Sequence, residues 1–86
     1  MEVEYKEAAL ADLDFWRKSG NTKVQAKITA LIDDICEHPF IGIGKPEPLK
    51  YELAGLWSRR ITRGHRLIYE IYNGKLFIIS MKGHYD

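Results

Sequence analysis

The chain reads as an α+β domain in which an N-terminal strand and a two-helix hairpin pack on one face of an antiparallel sheet, in the order βααββββ. Three observations predict this class. Apolar residues recur at helical spacing between residues 7 and 37. Beyond residue 49, short apolar runs are separated by turn residues. The last two runs meet at Asn73-Gly74, a strong hairpin signal because a type I′ turn needs positive φ at both central positions. At 86 residues, one domain spanning 1–86 is expected.

Met1, Val3 and Tyr5 alternate with Glu2, Glu4 and Lys6, as in a half-buried strand. From Glu7 the period lengthens. Leu10, Leu13 and Trp16 recur every three residues beside Ala9, which predicts one helix face, and Gly20 supplies its stop. Thr22 followed by Gln25 fits a capping box at the start of a second helix. Behind it Val24, Ile28, Leu31, Ile32 and Ile35 fall at i, i+4, i+7, i+8 and i+11, a continuous apolar stripe. Pro39 ends the stripe near His38, since the residue before a proline is steered away from helical angles. Residues 40–48 hold two glycines and two prolines, a kinked loop. Strands are predicted over 49–53, 56–62, 66–72 and 75–81, with turns at Ala54-Gly55, Arg63-Gly64-His65 and Asn73-Gly74.

A two-residue turn at Asn73-Gly74 pairs Tyr72 with Lys75, Ile71 with Leu76, Tyr69 with Ile78 and Leu67 with Ser80. Side chains alternate faces, so Leu67, Tyr69, Ile71, Leu76 and Ile78 should meet the helices. Arg66, Ile68, Glu70, Phe77, Ile79 and Met81 should form a mixed opposite face. Pairing Thr62 with Arg66 would add Ser58 and Arg60 to it. That face suits a partner segment with apolar anchors and acidic residues.

Charge is divided unevenly along the chain. Residues 1–38 carry five Lys/Arg against eight Asp/Glu, and residues 39–66 carry six against two, local balances of −3 and +4 within a net +1. Such asymmetry fits either a polyanion-binding face or an uneven solvated surface. Cys36 is the only cysteine, so no internal disulfide is possible, and nothing has zinc-ligand spacing. No metal or cofactor is called for. No apolar run is long enough to cross a membrane and no signal-peptide pattern opens the chain, so a cytoplasmic location is expected.

Three groups can carry chemistry. Glu47 lies between Pro46 and Pro48, whose rings restrict its backbone; alone it reads more readily as a solvated loop carboxylate than as a catalyst. Arg66 opens a strand among Arg59, Arg60 and Arg63, and can pair with Glu70 or act on a phosphate. His84-Tyr85 stands one residue from the end of the sequence, where tails are usually inert. Trp57 and Tyr69 fall on the apolar face and read as core, His65 as a solvated turn residue and His38 as a helix end.

The run Pro39-Phe-Ile-Gly-Ile-Gly-Lys-Pro-Glu-Pro-Leu-Lys50, then Leu53-Ala-Gly-Leu-Trp-Ser-Arg-Arg-Ile-Thr62, His65-Arg-Leu-Ile-Tyr69 and the terminal His84-Tyr85 resemble the YoeB/Txe group of RelE-like toxins. The resemblance covers the second half of the chain closely. It implies a RelE-like fold, a YefM-like antitoxin partner, homodimerisation as one state, and metal-independent cleavage of mRNA on the ribosome. It places the catalytic roles on Glu47, Arg66, His84 and Tyr85, and RNA contacts on Lys45, Lys50, Arg60 and Arg63. Asp86 and the lead-in Met81-Lys-Gly83 depart from the group's pattern.

Those residues match the needs of RNA transesterification: a base for the 2′-hydroxyl, a cation for the phosphorane and an acid for the leaving 5′-oxygen. The alternatives are a ParE-like gyrase inhibitor on the same scaffold, and a non-catalytic nucleic-acid-binding or corepressor partner of an antitoxin. Strict alternation past Met81 turns His84 toward the helices. A bulge, twist or end of pairing at Lys82-Gly83 is therefore expected to swing it onto the Arg66 face, on a tail that is mobile when free.

Overall fold

A computed structural model describes residues 1–83. The opening alternation forms β1 (Glu2–Tyr5), with Val3 and Tyr5 half-buried and Glu2 and Glu4 exposed. The two helices are α1 (Glu7–Ser19) and α2 (Thr22–Glu37), and the later strands are β2 (Glu47–Pro48), β3 (Trp57–Thr62), β4 (His65–Tyr72) and β5 (Lys75–Ser80). The sheet order is β1-β5-β4-β3-β2. Neighbours pair antiparallel except β1, which lies parallel to β5 with Val3 opposite Leu76 and Tyr5 opposite Ile78. The helical hairpin after β1 acts as a crossover, which leaves that edge parallel where an antiparallel one was expected.

Helix α1 ends at Gly20 in the left-handed conformation, φ 70°, as its sequence predicts. Its inward face is Ala9, Leu13 and Trp16, while Leu10 is 54% exposed. At 3.6 residues per turn, i, i+4, i+7 stays on one face whereas steps of three drift around the helix, so the period chosen from Leu10 was the wrong one. Helix α2 buries Val24, Ile28, Leu31 and Ile35 against the sheet, with Ile32 at the margin. Its cap is Asn21, whose side chain accepts from Val24 N at 3.1 Å, not the Thr22/Gln25 box. Gln25 instead donates to the Trp16 carbonyl at 2.9 Å and ties the two helices together.

The expected strand over 49–53 is absent. Strand β2 is only Glu47–Pro48, and Tyr51–Leu53 forms one 3₁₀ turn, its entry at Tyr51 holding φ 57°. The Asn73-Gly74 hairpin keeps its expected register from Tyr72↔Lys75 to Tyr69↔Ile78. There a bulge intervenes: the next pair is Ile68↔Ser80, so Ile79 is the extra residue on β5. The alternation of β5 is reversed beyond that point. Met81 turns into the core, fully buried, and Ser80 takes the face expected for Met81. Ile68, expected to be exposed, is fully buried between its pairing partners Ser58 and Ser80.

A second bulge lies at Ile61, between the pairs Arg60↔Arg66 and Thr62↔His65. The turn already moves the partner of Thr62 from Arg66 to His65, and the bulge adds one more residue of shift, so Ser58, Arg60 and Arg66 share one surface as alternation predicts. Tyr69 is fully buried, and Trp57 packs on the core with its ring 4.8 Å from that of Phe40.

Candidate functional site

The loop that presents Glu47 is built around Arg59. Alternation sends this side chain toward the helices with Trp57 and Ile61, and it is 0% exposed. A buried guanidinium is tolerable only when its donors are satisfied, and all five are used here. Nη1 donates to Asp34 Oδ2 and the Ile43 carbonyl, Nη2 to the carbonyls of His38 and Ile41, and Nε to the Tyr69 hydroxyl at 3.3 Å. Tyr69 in turn donates to the Pro39 carbonyl at 2.6 Å, and Asp34 also accepts from Ile43 N at 3.1 Å. The Arg59 hydrogen bond holds the Asp34 carboxyl below the usual aspartate range, and burial raises the Tyr69 phenol. Arg59 is therefore the anchor of the 38–45 loop, not a member of a surface cluster. The sequence signal for it was the alternation that puts an arginine between two apolar residues.

Two glycines let the loop lie this close. A Cβ on Gly42, at φ +125°, would fall 2.0 Å from Asp34 Oδ2, and one on Gly44, at φ +77°, 2.6 Å from Leu31 Cδ2. The Gly44 carbonyl accepts from Arg60 N at 2.6 Å, which hands the chain to Lys45, Pro46 and then Glu47 on β2.

Glu47 pairs with Ser58 across the sheet, and Arg60 with Arg66, so all four residues point to the surface away from the helices. Arg66 donates from Nη1 to Ser58 Oγ at 3.2 Å, and the same nitrogen stands 4.0 Å from Glu47 Oε2. That separation is an ion-pair distance but too long for a hydrogen bond, so the carboxylate keeps its lone pairs. The Arg66 side chain is 17% exposed and the Glu47 side chain 63%. One partner is held by the sheet, and the other reaches over it from a proline-flanked edge. Ser58, not singled out as functional from sequence, sits beneath both. Glu70, the bland partner for Arg66, forms no ion pair with it among the described residues.

Between α2 and β3, Lys27, Lys45, Arg60 and Arg63 line a shallow cavity of about 320 Å³ with no carboxylate in its wall. Three of the four expected RNA contacts meet here, joined by Lys27 from α2, which sequence reading did not single out. Lys50 is exposed and lies outside this cavity. His65 is half-buried, edge-on to Trp16 at 5.0 Å, and accepts from Gly83 N through Nδ1; it is not the solvated turn residue expected. With Met81 and Ile68 buried, the surface offered to a partner is narrower: Arg60, Arg66, Phe77 and Ile79 remain at least partly accessible. The bulge at Ile79 supplies, before Met81, a reversal of alternation expected only at Lys82-Gly83, and Gly83 has φ +88° beyond the end of the strand. His84 and Tyr85 lie outside the described residues.

A family model described as YoeB-like toxin of bacterial type II toxin-antitoxin system matches residues 5–85. Toxin YoeB of Synechocystis sp. is 45% identical over 86 residues, 100% of this chain and 99% of its own length. A YoeB/ParE toxin from Agrobacterium tumefaciens superposes with a TM-score of 0.94 at 38% identity, covering 99% of this chain and 100% of its own. The toxin fold in the YoeB-YefM complex from Staphylococcus aureus does so at 0.89 and 36%, covering 99% and 98%.

Proposed function

The chain belongs to the YoeB-like toxins of bacterial type II toxin-antitoxin systems, and from that premise we propose that it is a metal-independent endoribonuclease that cuts mRNA on the ribosome and blocks translation. The observation that carries the reading is the Glu47–Arg66 pair, 4.0 Å apart on the sheet face away from the helices, which shares Arg60 with a carboxylate-free cationic cavity. Glu47 takes the proton of the 2′-hydroxyl. The freed oxygen attacks the adjacent phosphorus, and Arg66 braces the non-bridging oxygens with its planar fork of donors. The P–O5′ bond breaks, leaving a 2′,3′-cyclic phosphate and a 5′-hydroxyl once the leaving oxygen is protonated. His84 is assigned that proton, since an imidazole can carry one near neutral pH, and Tyr85 the stacking of a nucleotide at the cut.

Lys45, Arg60 and Arg63, with Lys50 further along the loop, are assigned to the RNA backbone. A few phosphate contacts on a chain of net charge +1 give only modest binding at physiological salt, so free RNA is expected to be a poor substrate. A carboxylate is also a weak base for a hydroxyl, which assigns distortion of the message to the ribosome. The same reading gives a YefM-type antitoxin as inhibitor, a homodimer as a second state, action in the cytoplasm and one toxin domain over 1–86. Among the described residues no helix is long and apolar enough to cross a membrane.

The test is to add the chain to a translating extract and map new 5′ ends on the message. Cuts inside ribosome-occupied codons are expected. Glu47→Gln should slow them by about 10²-fold, the usual size of a lost general base, without changing antitoxin binding. Intact message with loss of supercoiling would replace this reading by gyrase inhibition, and wild-type rates in Glu47→Gln would remove Glu47 from the mechanism.

A further inference from the structure

Regular strand pairing ends at Ser80, yet the next residues are tied down at four backbone atoms. Met81 N donates to Asp12 Oδ2 at 2.9 Å, and the Met81 carbonyl accepts from Trp16 Nε1 at 2.7 Å. Gly83 N donates to His65 Nδ1 at 2.9 Å, and the Gly83 carbonyl accepts from Arg66 N at 2.9 Å. The rings of Trp16 and His65 touch edge-on, so the helix and the hairpin that supply these bonds also brace each other. The Lys82 ammonium sits 4.0 Å from the centre of the Phe15 ring.

The arrangement is more than a fold needs to seal a strand end. Polar side chains from residues 12, 16 and 65 each spend a hydrogen bond on the backbone of Met81 or Gly83, 69, 65 and 18 positions away along the chain. The last bond made, to Arg66 N, fixes the Gly83 peptide against the residue whose guanidinium faces Glu47. Gly83 is required by its φ of +88°, not by space, since nothing stands within 4 Å of where a Cβ would be. The backbone is therefore anchored beside Arg66 at Met81 and Gly83, the last described residues ahead of those assigned as acid and stacking group.

We propose that Asp12, Trp16 and His65 are positioning residues for the proposed cleavage. They set where, and in which direction, the chain leaves the sheet beside Arg66. This role rests on the nuclease reading above. None of the three touches RNA in it; each acts through the Met81 or Gly83 backbone. A misplacement of about 1 Å in a reacting group can cost as much as 10²-fold in rate, so an effect on turnover larger than the effect on folding is the signature of such a role.

The test uses the full chain. Asp12→Ala and Trp16→Phe each remove one bond and leave most of the packing, Asp12→Asn keeps an acceptor for Met81 N, and His65→Leu removes the acceptor for Gly83 N. Amide exchange should speed up by about tenfold at Met81 in Asp12→Ala and at Gly83 in His65→Leu, with core strand amides unchanged, the size of one lost hydrogen bond. In ribosome-dependent cleavage, kcat should fall by about tenfold with KM within about twofold, and Asp12→Asn should restore it. Faster exchange at the released amide with unchanged kcat overturns the proposal. So does a kcat that merely tracks a global loss of protection. A wild-type chain that leaves message intact brings down the nuclease reading and this role together, whereas equal cutting by wild type and Asp12→Ala brings down this role alone.

Discussion

The loop that presents Glu47 hangs on one buried cation, whereas the segment that leads to residue 84 is tied by separate bonds from Asp12, Trp16, His65 and Arg66. The two flank the same sheet face, and they fail differently. On the Glu47 side, one guanidinium serves three carbonyls, a carboxylate and a phenol, so removing it breaks five bonds at once and leaves the loop only the Tyr69–Pro39, Ile43–Asp34 and Arg60–Gly44 bonds. On the tail side, each bond has its own donor and acceptor, and losing one leaves the others in place. Concentrated anchoring makes a rigid wall with a single point of failure. Distributed anchoring makes a wall that can be loosened in steps.

The sharpest break of that contrast is Arg59→Met. It should cost about 3–5 kcal/mol, the range for breaking a buried ion pair from one side, read from the urea midpoint. Arg59→Lys should rescue little, because an ammonium is not a planar fork reaching five acceptors. A loss under about 1 kcal/mol would mean that the prolines and glycines hold the loop unaided.

The glycines come next. Gly42→Ala meets both a forbidden φ and the Asp34 carboxylate at 2.0 Å, and should cost about 3 kcal/mol. Gly83→Ala meets only the φ, with open space around it, and should cost about 1 kcal/mol. Equal losses would erase the distinction between a packed wall and a loosely surrounded one.

Acid should act on the Glu47 side through Asp34. Its carboxyl is held below the ordinary aspartate value of 3.8 chiefly by the Arg59 hydrogen bond, so the ionised form is favoured in the fold. That contribution is complete above 3.8 and is lost as pH falls through the lower folded value. Stability should therefore decline on that limb in the wild type and less steeply in Asp34→Asn, followed by Trp57 fluorescence beside the loop. Parallel declines would show that Asp34 is not the linked group.

The smallest effect expected is that of Lys82→Gln, which removes an exposed ammonium from the Phe15 ring. About 0.5 kcal/mol is lost and the Met81 and Gly83 amides keep their protection. A larger loss would make Lys82 a fifth anchor of the tail.

How much of this was legible varies with how local each signal is. Gly20, the α2 stripe and the Asn73-Gly74 turn behave as expected, because each depends on residues within a turn or two of itself. Leu10 failed because two helical periods compete in so short a stretch, and the wrong one was chosen. Thr22 lost the cap to its neighbour Asn21, and Gln25 went to Trp16, a partner nine residues away. Of the site, Glu47, Arg66, Arg60, Lys45 and Arg63 could be named from residue type and resemblance. Ser58, Lys27 and the supports Asp12, Trp16 and His65 could not, since nothing in their local sequence marks them.

The sequence by itself determined the two helices, the strands other than the one expected over 49–53, most of the apolar faces, the hairpin register from Tyr72 to Tyr69 and the residue kinds that suggest phosphate chemistry. Those follow from side-chain periodicity and from backbone angles that only certain residues accept. Only the tertiary structure decided that β1 joins its edge parallel, that bulges fall at Ile61 and Ile79, that Arg59 enters the core while Arg60 stays out, and that α1 grips the end of β5. Each of those outcomes is set by hydrogen-bonding partners distant in sequence, which exist as partners only once the chain has closed on itself.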